Sequence, residues 1–309
     1  MAKSLVGIAT LRWRPCSRAG RGQSITREVM GRRPRRCYLF AMTSIALPLQ
    51  SGVGDLVREW RQRRRLSQLE LAGEADISTR HLSFVENGRS VPSRSMLLRL
   101  AERLDMPLRA RNQMLHAAGF AALYAERALD APEMSVARRM VDAVLDAHAP
   151  FPALAVDRHW TLLASNAAVA PLLAGVAAAL LQGPINVLRL SLHPQGLAPR
   201  IENLAEWRAH LLARLQQQID RSGDAQLAAL HAELAAYPTR AGEAQAHDVG
   251  GIAVPLRLRV DGLATPLSLI STTTVFGTPV DVTLSELALE CFYPADERSR
   301  AALQRSAVA

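Results

Sequence analysis

The sequence predicts an α+β protein, with an all-α N-terminal domain followed by an antiparallel sheet with packed helices. Three observations predict this. Between residue 54 and about residue 119, apolar residues recur at helical spacing in short runs: Leu56 and Trp60; Leu69 and Ala72; Leu82 and Val85; Leu97, Leu100 and Leu104. Over 252–260, apolar residues alternate with Pro255, Arg257 and Arg259, the period of a half-buried strand. Two longer helical patterns, at about 201–220 and 225–236, lie between a hairpin signal and the closing strands, so helices and strands share one domain.

A chain of 309 residues, 49% of them hydrophobic, is long enough for two domains with buried cores. No run reaches the roughly 18–20 continuous apolar residues of a membrane span, so a soluble protein without membrane contact is expected. The net charge is +9, but its location matters more than its size. Lys3 and nine arginines stand against Glu28 within residues 1–41, so this segment carries the whole excess and the rest of the chain is neutral. The segment has no helical or strand period and reads as a disordered basic tail. Its composition fits a nucleic-acid arm and, superficially, a transit peptide; a mis-assigned start, with translation from Met42, is the third reading. Outside it, Cys291 stands alone, which excludes a disulfide framework there and suits a reducing cytoplasm.

The elements follow in order. Residues 42–52 form a short lead into a helical domain over 42–119. The Ala-Leu-Asp-Ala-Pro run at 128–132 closes a linker over 120–133. A sheet domain over 134–297 begins with a helix at about 134–147, closed by the prolines at 150 and 152. Residues 153–156 and 160–164 flank an Asp-Arg-His turn and predict a hairpin. Asn166 is placed to cap a helix over 167–174. A loop region with Pro184, Pro194 and Pro199 precedes the helix carrying Leu204, Trp207, Leu211, Leu215 and Ile219 on one face, then the helix carrying Leu227, Leu230 and Leu234. Residues 238–250 read as an exposed loop. Strands at 252–260, 266–276 and 280–292 close the domain, with a phase slip between Leu284 and Leu287 that predicts a bulge or break. Residues 298–309 read as a tail. One sheet with helices on one face is the simplest arrangement.

The most informative stretch is 66–90. Ser67 with Glu70 three residues on makes a capping box, Ser78 can cap a second helix, and Gly88 suits a left-handed terminus. Leu71, Ala72, Ile77, Leu82 and Val85 are spaced to pack two short helices across a tight turn. The segment resembles the lambda-repressor-like (Xre) helix-turn-helix family, through its Ser-Gln-x-Glu-Leu-Ala core at 67–72 and the Phe-Val-Glu-Asn-Gly-Arg-Ser ending at 84–90. It departs at the turn, where Asp76 stands for the usual glycine; aspartate tolerates the left-handed region better than most residues. The resemblance implies a homodimer on double-stranded DNA, with a recognition helix at about 78–86 in the major groove. Ser78, Thr79, Arg80, His81 and Ser83 are the candidate base readers. Arg80 leads them, because a guanidinium bridges guanine O6 and N7. Gln68, Asn87, Arg89 and Arg94 match family positions on the DNA backbone, and the arginines at 61 and 63–65 add positive charge beside them.

The remaining chain resembles the ligand-binding domain of MmyB-like regulators. The similarity rests on the Asn-Val-Leu-Arg-Leu-Ser-Leu-His-Pro-Gln-Gly run opening 186–212, the Ser-Thr-Thr-Thr-Val-Phe-Gly-Thr-Pro-Val-Asp-Val-Thr-Leu run at 271–284 and the closing Phe-Tyr-Pro-Ala-Asp at 292–296. It implies a PAS-like fold and a small-molecule effector, apolar or fatty-acid-like; no cofactor is implied. Trp160, Trp207, Phe276 and Phe292 are candidate pocket walls, and Arg189, His193, Arg200, Asn203 and His210 candidate polar groups for a carboxylate or similar head. No nucleophile elbow, phosphate loop or metal-ligand spacing is present in the sequence, so an enzyme is not expected. The expectation is a cytoplasmic, sequence-specific transcriptional regulator with a sensor domain; the alternative makes the C-terminal domain a protein-interaction module without ligand.

Overall fold

The computed structural model describes residues 52–238 and 253–306. The basic tail over 1–41, nearly all of the lead over 42–52 and nearly all of the loop over 238–250 lie outside these residues.

Five helices build the N-terminal region: α1 (Val53–Arg63), α2 (Gln68–Glu74), α3 (Thr79–Glu86), α4 (Arg94–Arg103) and α5 (Leu108–Ala117). Local chemistry sets their ends. The Ser67 hydroxyl accepts from the Glu70 N–H at 3.2 Å, and the Glu70 carboxylate accepts from the Ser67 N–H at 2.7 Å. Ser78 and Ser93 cap α3 and α4 through the amides of His81 and Met96. Asp76 takes φ 53° in the turn between α2 and α3. Helix α1 crosses α3 so closely that a Cβ on Gly54 would lie 2.4 Å from the Val85 carbonyl oxygen, so only glycine fits there. Leu71, Leu82, Leu97, Leu100 and Leu104 are sealed from solvent in the core of this bundle. Leu69, which the helical pattern grouped with Ala72, instead points outward and is 70% exposed.

The segment expected as a linker is fastened at both ends. The Asn112 side chain accepts from the Leu123 and Tyr124 amides at 3.0 and 3.1 Å and donates to the Tyr124 carbonyl at 2.7 Å. Beyond it, the Val282 N–H donates to the Ala125 carbonyl at 2.8 Å, and Arg127 donates to Asp281 at 2.9 Å.

The C-terminal region is built on an antiparallel sheet in the order β2-β1-β5-β4-β3. Its strands are β1 (Ala153–Val156), β2 (Leu162–Ser165), β3 (Leu256–Leu258), β4 (Leu267–Val275) and β5 (Ala288–Pro294). The helices are α6 (Ser135–Ala147), α7 (Val187–Leu192), α8 (Leu204–Ser222), α9 (Ala225–Ala235), α10 (Val282–Ser285) and α11 (Glu297–Ser306). Helices cover both faces of the sheet, not one. On one face α7, α8 and α9 pack over Leu162, Leu258, Leu267 and Leu269. On the other, Val141 and Leu145 of α6 pack over Ala153, Ala155, Ala164, Leu289 and Cys291. The three small alanines let α6 lie close to the strands.

Other local expectations are corrected. Asn166 does not cap a helix: its side-chain oxygen accepts from the Ala153 N–H at 3.1 Å, and its amide donates to the Leu145 and Phe151 carbonyls. The turn that follows is a 3₁₀ helix over Ala167–Leu173, with Pro171, which lacks a donor, inside it. The proline-bearing loop region contains α7, capped by Asn186. The phase slip near Leu284 is α10, whose N-terminus Asp281 caps. The strand expected over 252–260 narrows to three residues. The expected tail from 298 onward carries most of α11, with Ala302 and Leu303 buried and the Ser299 hydroxyl accepting from the Ser268 N–H at 2.9 Å.

Both rims of the sheet are occupied. Along β3, the Glu202 N–H donates to the Arg257 carbonyl and the Arg259 N–H to the Arg200 carbonyl, each at 2.9 Å. Along β2, the Leu162 N–H donates to the Ile185 carbonyl at 2.7 Å and the Val187 N–H to the Trp160 carbonyl at 2.9 Å. The two regions meet through Arg109 on α5, which grips Glu286 with two bonds of 2.8 and 2.9 Å and reaches Glu126 at 2.7 Å. Among the described residues, no helix is long and apolar enough to cross a membrane.

Candidate DNA interface and ligand cavity

The first turn of α3 faces outward. Arg80 is exposed, and Thr79, His81 and Ser83 are half-exposed. The Arg80 guanidinium lies 5.3 Å from the Phe84 ring centroid, a cation–π contact that steadies it on the helix surface. The Ser78 hydroxyl is engaged as the cap of α3. Past Gly88, at φ 68°, Arg89 is exposed, as is Arg94 in the first turn of α4.

Glu86, at the far end of α3, ties the helix pair to α1. Arg61 donates to its two carboxylate oxygens at 2.7 and 2.9 Å, Gln68 donates at 2.8 Å, and the Arg58 guanidinium lies 3.5 Å away. Burial pushes the Glu86 carboxyl up, but the hydrogen bonds from Arg61 and Gln68 outweigh it and hold the group below its ordinary value. One buried carboxylate thus joins α1, α2 and α3. Gln68 therefore directs its amide donor inward. Asn87 accepts from Arg58 at 2.7 Å and donates to Ser83 at 3.3 Å. The arginine run on α1 is not one free positive face either. Arg61 serves Glu86, Arg63 pairs with Glu59 at 2.6 Å, and Arg64 donates to the Leu104 and Asp105 carbonyls.

A second site lies in the sheet region, where a cavity of about 100 Å³ opens among α7, α8 and the inner sheet face. Trp160, Trp207, Leu211, Leu258, Leu269 and Phe292 stand in its walls. Four polar residues also face it: Ser191, Arg214, Ser271 and Glu290. The Trp207 indole donates to Ser191 at 3.0 Å, and the Trp160 indole to Gln218 at 2.8 Å, which fixes both rings. Arg214 grips Glu290 at 2.5 and 3.1 Å, donates to Thr273 at 2.6 Å, and lies 4.5 Å over the Trp160 ring. Glu290 is 3% exposed, so a partly buried ion pair forms one wall of a mainly apolar space.

The polar groups expected at the pocket are engaged elsewhere. Arg189 is doubly bonded to Glu233; with Tyr237 also donating to it, and against the effect of burial, this pulls the Glu233 carboxyl down to about 2. His193 packs edge-on against Tyr237. Arg200 donates to the Leu172 carbonyl, and Asn203 holds the Pro255 carbonyl and the Arg257 amide. His210 lies against Trp207 and does not line the cavity; burial and the nearby Arg214 charge lower its pKa. Phe276 packs on the α6 side of the sheet.

Between the two regions runs a cleft of about 520 Å³, walled by Arg109 and Gln113 on α5 and by Arg158, Gln218, Asp224 and Glu286 opposite. Trp160 and Arg214 line the cleft as well as the cavity, so the same two side chains part them. Trp160 holds φ 66°, a left-handed conformation rare for a bulky residue.

The family model described as helix-turn-helix matches residues 57–110, across α1 to α5. The model of the MmyB-like transcription regulator ligand binding domain matches residues 137–305, more than half of the chain. The chain belongs to the MmyB-like transcription regulators. No curated protein matches it. This MmyB-like regulator joins a DNA-binding module to a ligand-binding one. Sequence reasoning passed over two cavity-lining residues that carried a readable signal. Arg214 shares the α8 face of Trp207 and Leu211, an arginine on an apolar stripe. Glu290 sits between Ala288 and Phe292 on the inward-facing side of β5.

Proposed function

We propose that this regulator reads a specific duplex site through α3 and responds to a small apolar effector in the cavity. The observation that carries the reading is the exposed Arg80 on the first turn of α3, with Glu86 locking the helix behind it. A recognition helix enters the major groove with its N-terminal residues near base edges. Arg80 there bridges one guanine, while Arg89 and Arg94 contact phosphates and set the register. Two copies read two half-sites about one helical turn apart. The cytoplasm, where the chain would meet DNA, is the compartment that this reading calls for.

The test is fluorescence anisotropy with DNA from the protein's own upstream region against unrelated DNA, at several salt concentrations. Arg80→Ala is expected to lose about 1–3 kcal/mol of discrimination between the two DNAs. Arg94→Ala weakens both and flattens the salt dependence by about one unit of slope. Wild-type behaviour of both variants overturns the placement of α3.

The effector reading rests on cavity shape. Drug-sized ligands occupy roughly 300–1,000 Å³, so an effector has to push the walls of this space outward. Its apolar body meets leucines, and its single polar end meets Arg214 and Glu290. Displacing Trp160 and Arg214 carries the change into the cleft against α5, which is how differential affinity for two interdomain arrangements would arise. Dodecanoic acid and dodecanol serve as probes in thermal melts. A rise in melting temperature that Leu211→Trp abolishes supports the reading. Unchanged melts with both favour an interaction module without ligand, a reading that the small cavity volume also favours.

A further inference from the structure

Helix α6 has two apolar faces, and the sheet takes one of them. Val141 and Leu145 are buried against the strands. On the other side Val136, Met140 and Val144 are 56%, 54% and 41% exposed, and Ala143 and Ala147 beside them are exposed too. Positions 136, 140, 143 and 147 follow at steps of four, three and four, the seam of a helix that packs along a second helix.

We infer that this seam packs against the same seam of a second copy of the chain, in antiparallel register about a twofold axis. Side-chain size selects the occupant and its direction. Run antiparallel, Val136 meets Ala147 of the partner subunit and Met140 meets Ala143 of the partner subunit, so every large side chain fills the space beside a small one. Run parallel, the large residues meet their own copies and the alanine layers stay unfilled. Charge points the same way. Arg139 and Asp146 are both exposed on one flank of the seam, seven residues apart. The antiparallel pair sets Arg139 opposite Asp146 of the partner subunit, twice over by symmetry. Asp146 also has a contact within its own chain, which the cross-pair joins. The inference deepens the reading in which two copies share one DNA site, but its test needs no DNA.

That test is the solution mass of the full chain by sedimentation velocity. Wild type sediments as a dimer. Met140→Asp sediments as a monomer with an unchanged circular-dichroism spectrum, because Met140 lies on the surface. Arg139→Glu and Asp146→Arg each shift the distribution toward monomer, and the double variant regains the dimer, a rescue that local misfolding does not produce. A monomeric wild type, or a dimeric Met140→Asp, overturns the inference. Intact dimers that fail to discriminate DNA overturn the groove reading and leave this interface standing.

Discussion

At the residue scale, Glu86 bears the largest single consequence. Its side chain is fully buried among Arg61, Gln68 and Arg58. Removing one partner of a buried pair leaves an uncompensated charge, so Glu86→Gln is expected to cost about 3 kcal/mol in urea unfolding. Because the folded carboxyl lies below its unfolded value, its contribution is complete above the ordinary carboxylate range and is lost as pH falls through the depressed folded value. The unfolding midpoint should therefore fall more steeply in wild type than in Glu86→Gln once pH drops below about 4. Parallel curves would show that Glu86 is not linked to folding in this way. The place of Arg80 on the first turn of α3 and the serine caps were legible in the sequence because each is fixed by its position on a short helix. The partners of Arg189, Arg200, Asn203 and His210 were not. Each depends on which backbone carbonyl or carboxylate comes near after folding, and helical spacing says nothing of that.

At the element scale, the α2–α3 turn shows a local cost. Asp76 holds φ 53° without the freedom of glycine. A left-handed residue with a side chain costs about 1 kcal/mol, partly offset by the greater unfolded-state entropy of glycine. Asp76→Gly should then raise stability by about 0.5 kcal/mol in urea unfolding, with circular dichroism unchanged. A loss of stability would show that the Asp76 side chain contributes something its backbone geometry does not reveal. The helices of the DNA-binding module were readable because caps and apolar spacing agree there. The short elements of the sheet region were less so. Helix α7 is six residues long and α10 four, too short to show a period. Asn166 has the composition of a helix cap, yet the buried Ala153 amide and two carbonyls claim its side chain instead.

At the scale of the whole molecule, Arg109 links the two regions through Glu286, and Arg64 adds a bond to the Arg221 carbonyl. The pairing of Arg109 with Glu286 and Glu126 raises its pKa further above an already high value. Arg109→Ala should speed amide hydrogen exchange in residues 120–131 several-fold while leaving the strands of the sheet protected. Unchanged exchange would mean that Asn112 and Arg127 hold the segment unaided. The sequence found the longer helices and the strands of the sheet, but it read α7, α10 and α11 as loop, strand and tail and set the helices on one face. The alanines at 153, 155 and 164, which make room for α6 on the second face, read in sequence only as weak strand residues. The occupied rims of the sheet have a consequence for how copies of this chain can meet. A bare strand edge templates another, and that pairing repeats without end, which is how fibres grow. Here the backbone groups along β3 and β2 already bond to neighbouring segments of the chain. Association through side chains about a twofold axis closes on itself after two copies. A concentrated solution of the protein should thus saturate at a finite particle size, without seeding or elongation.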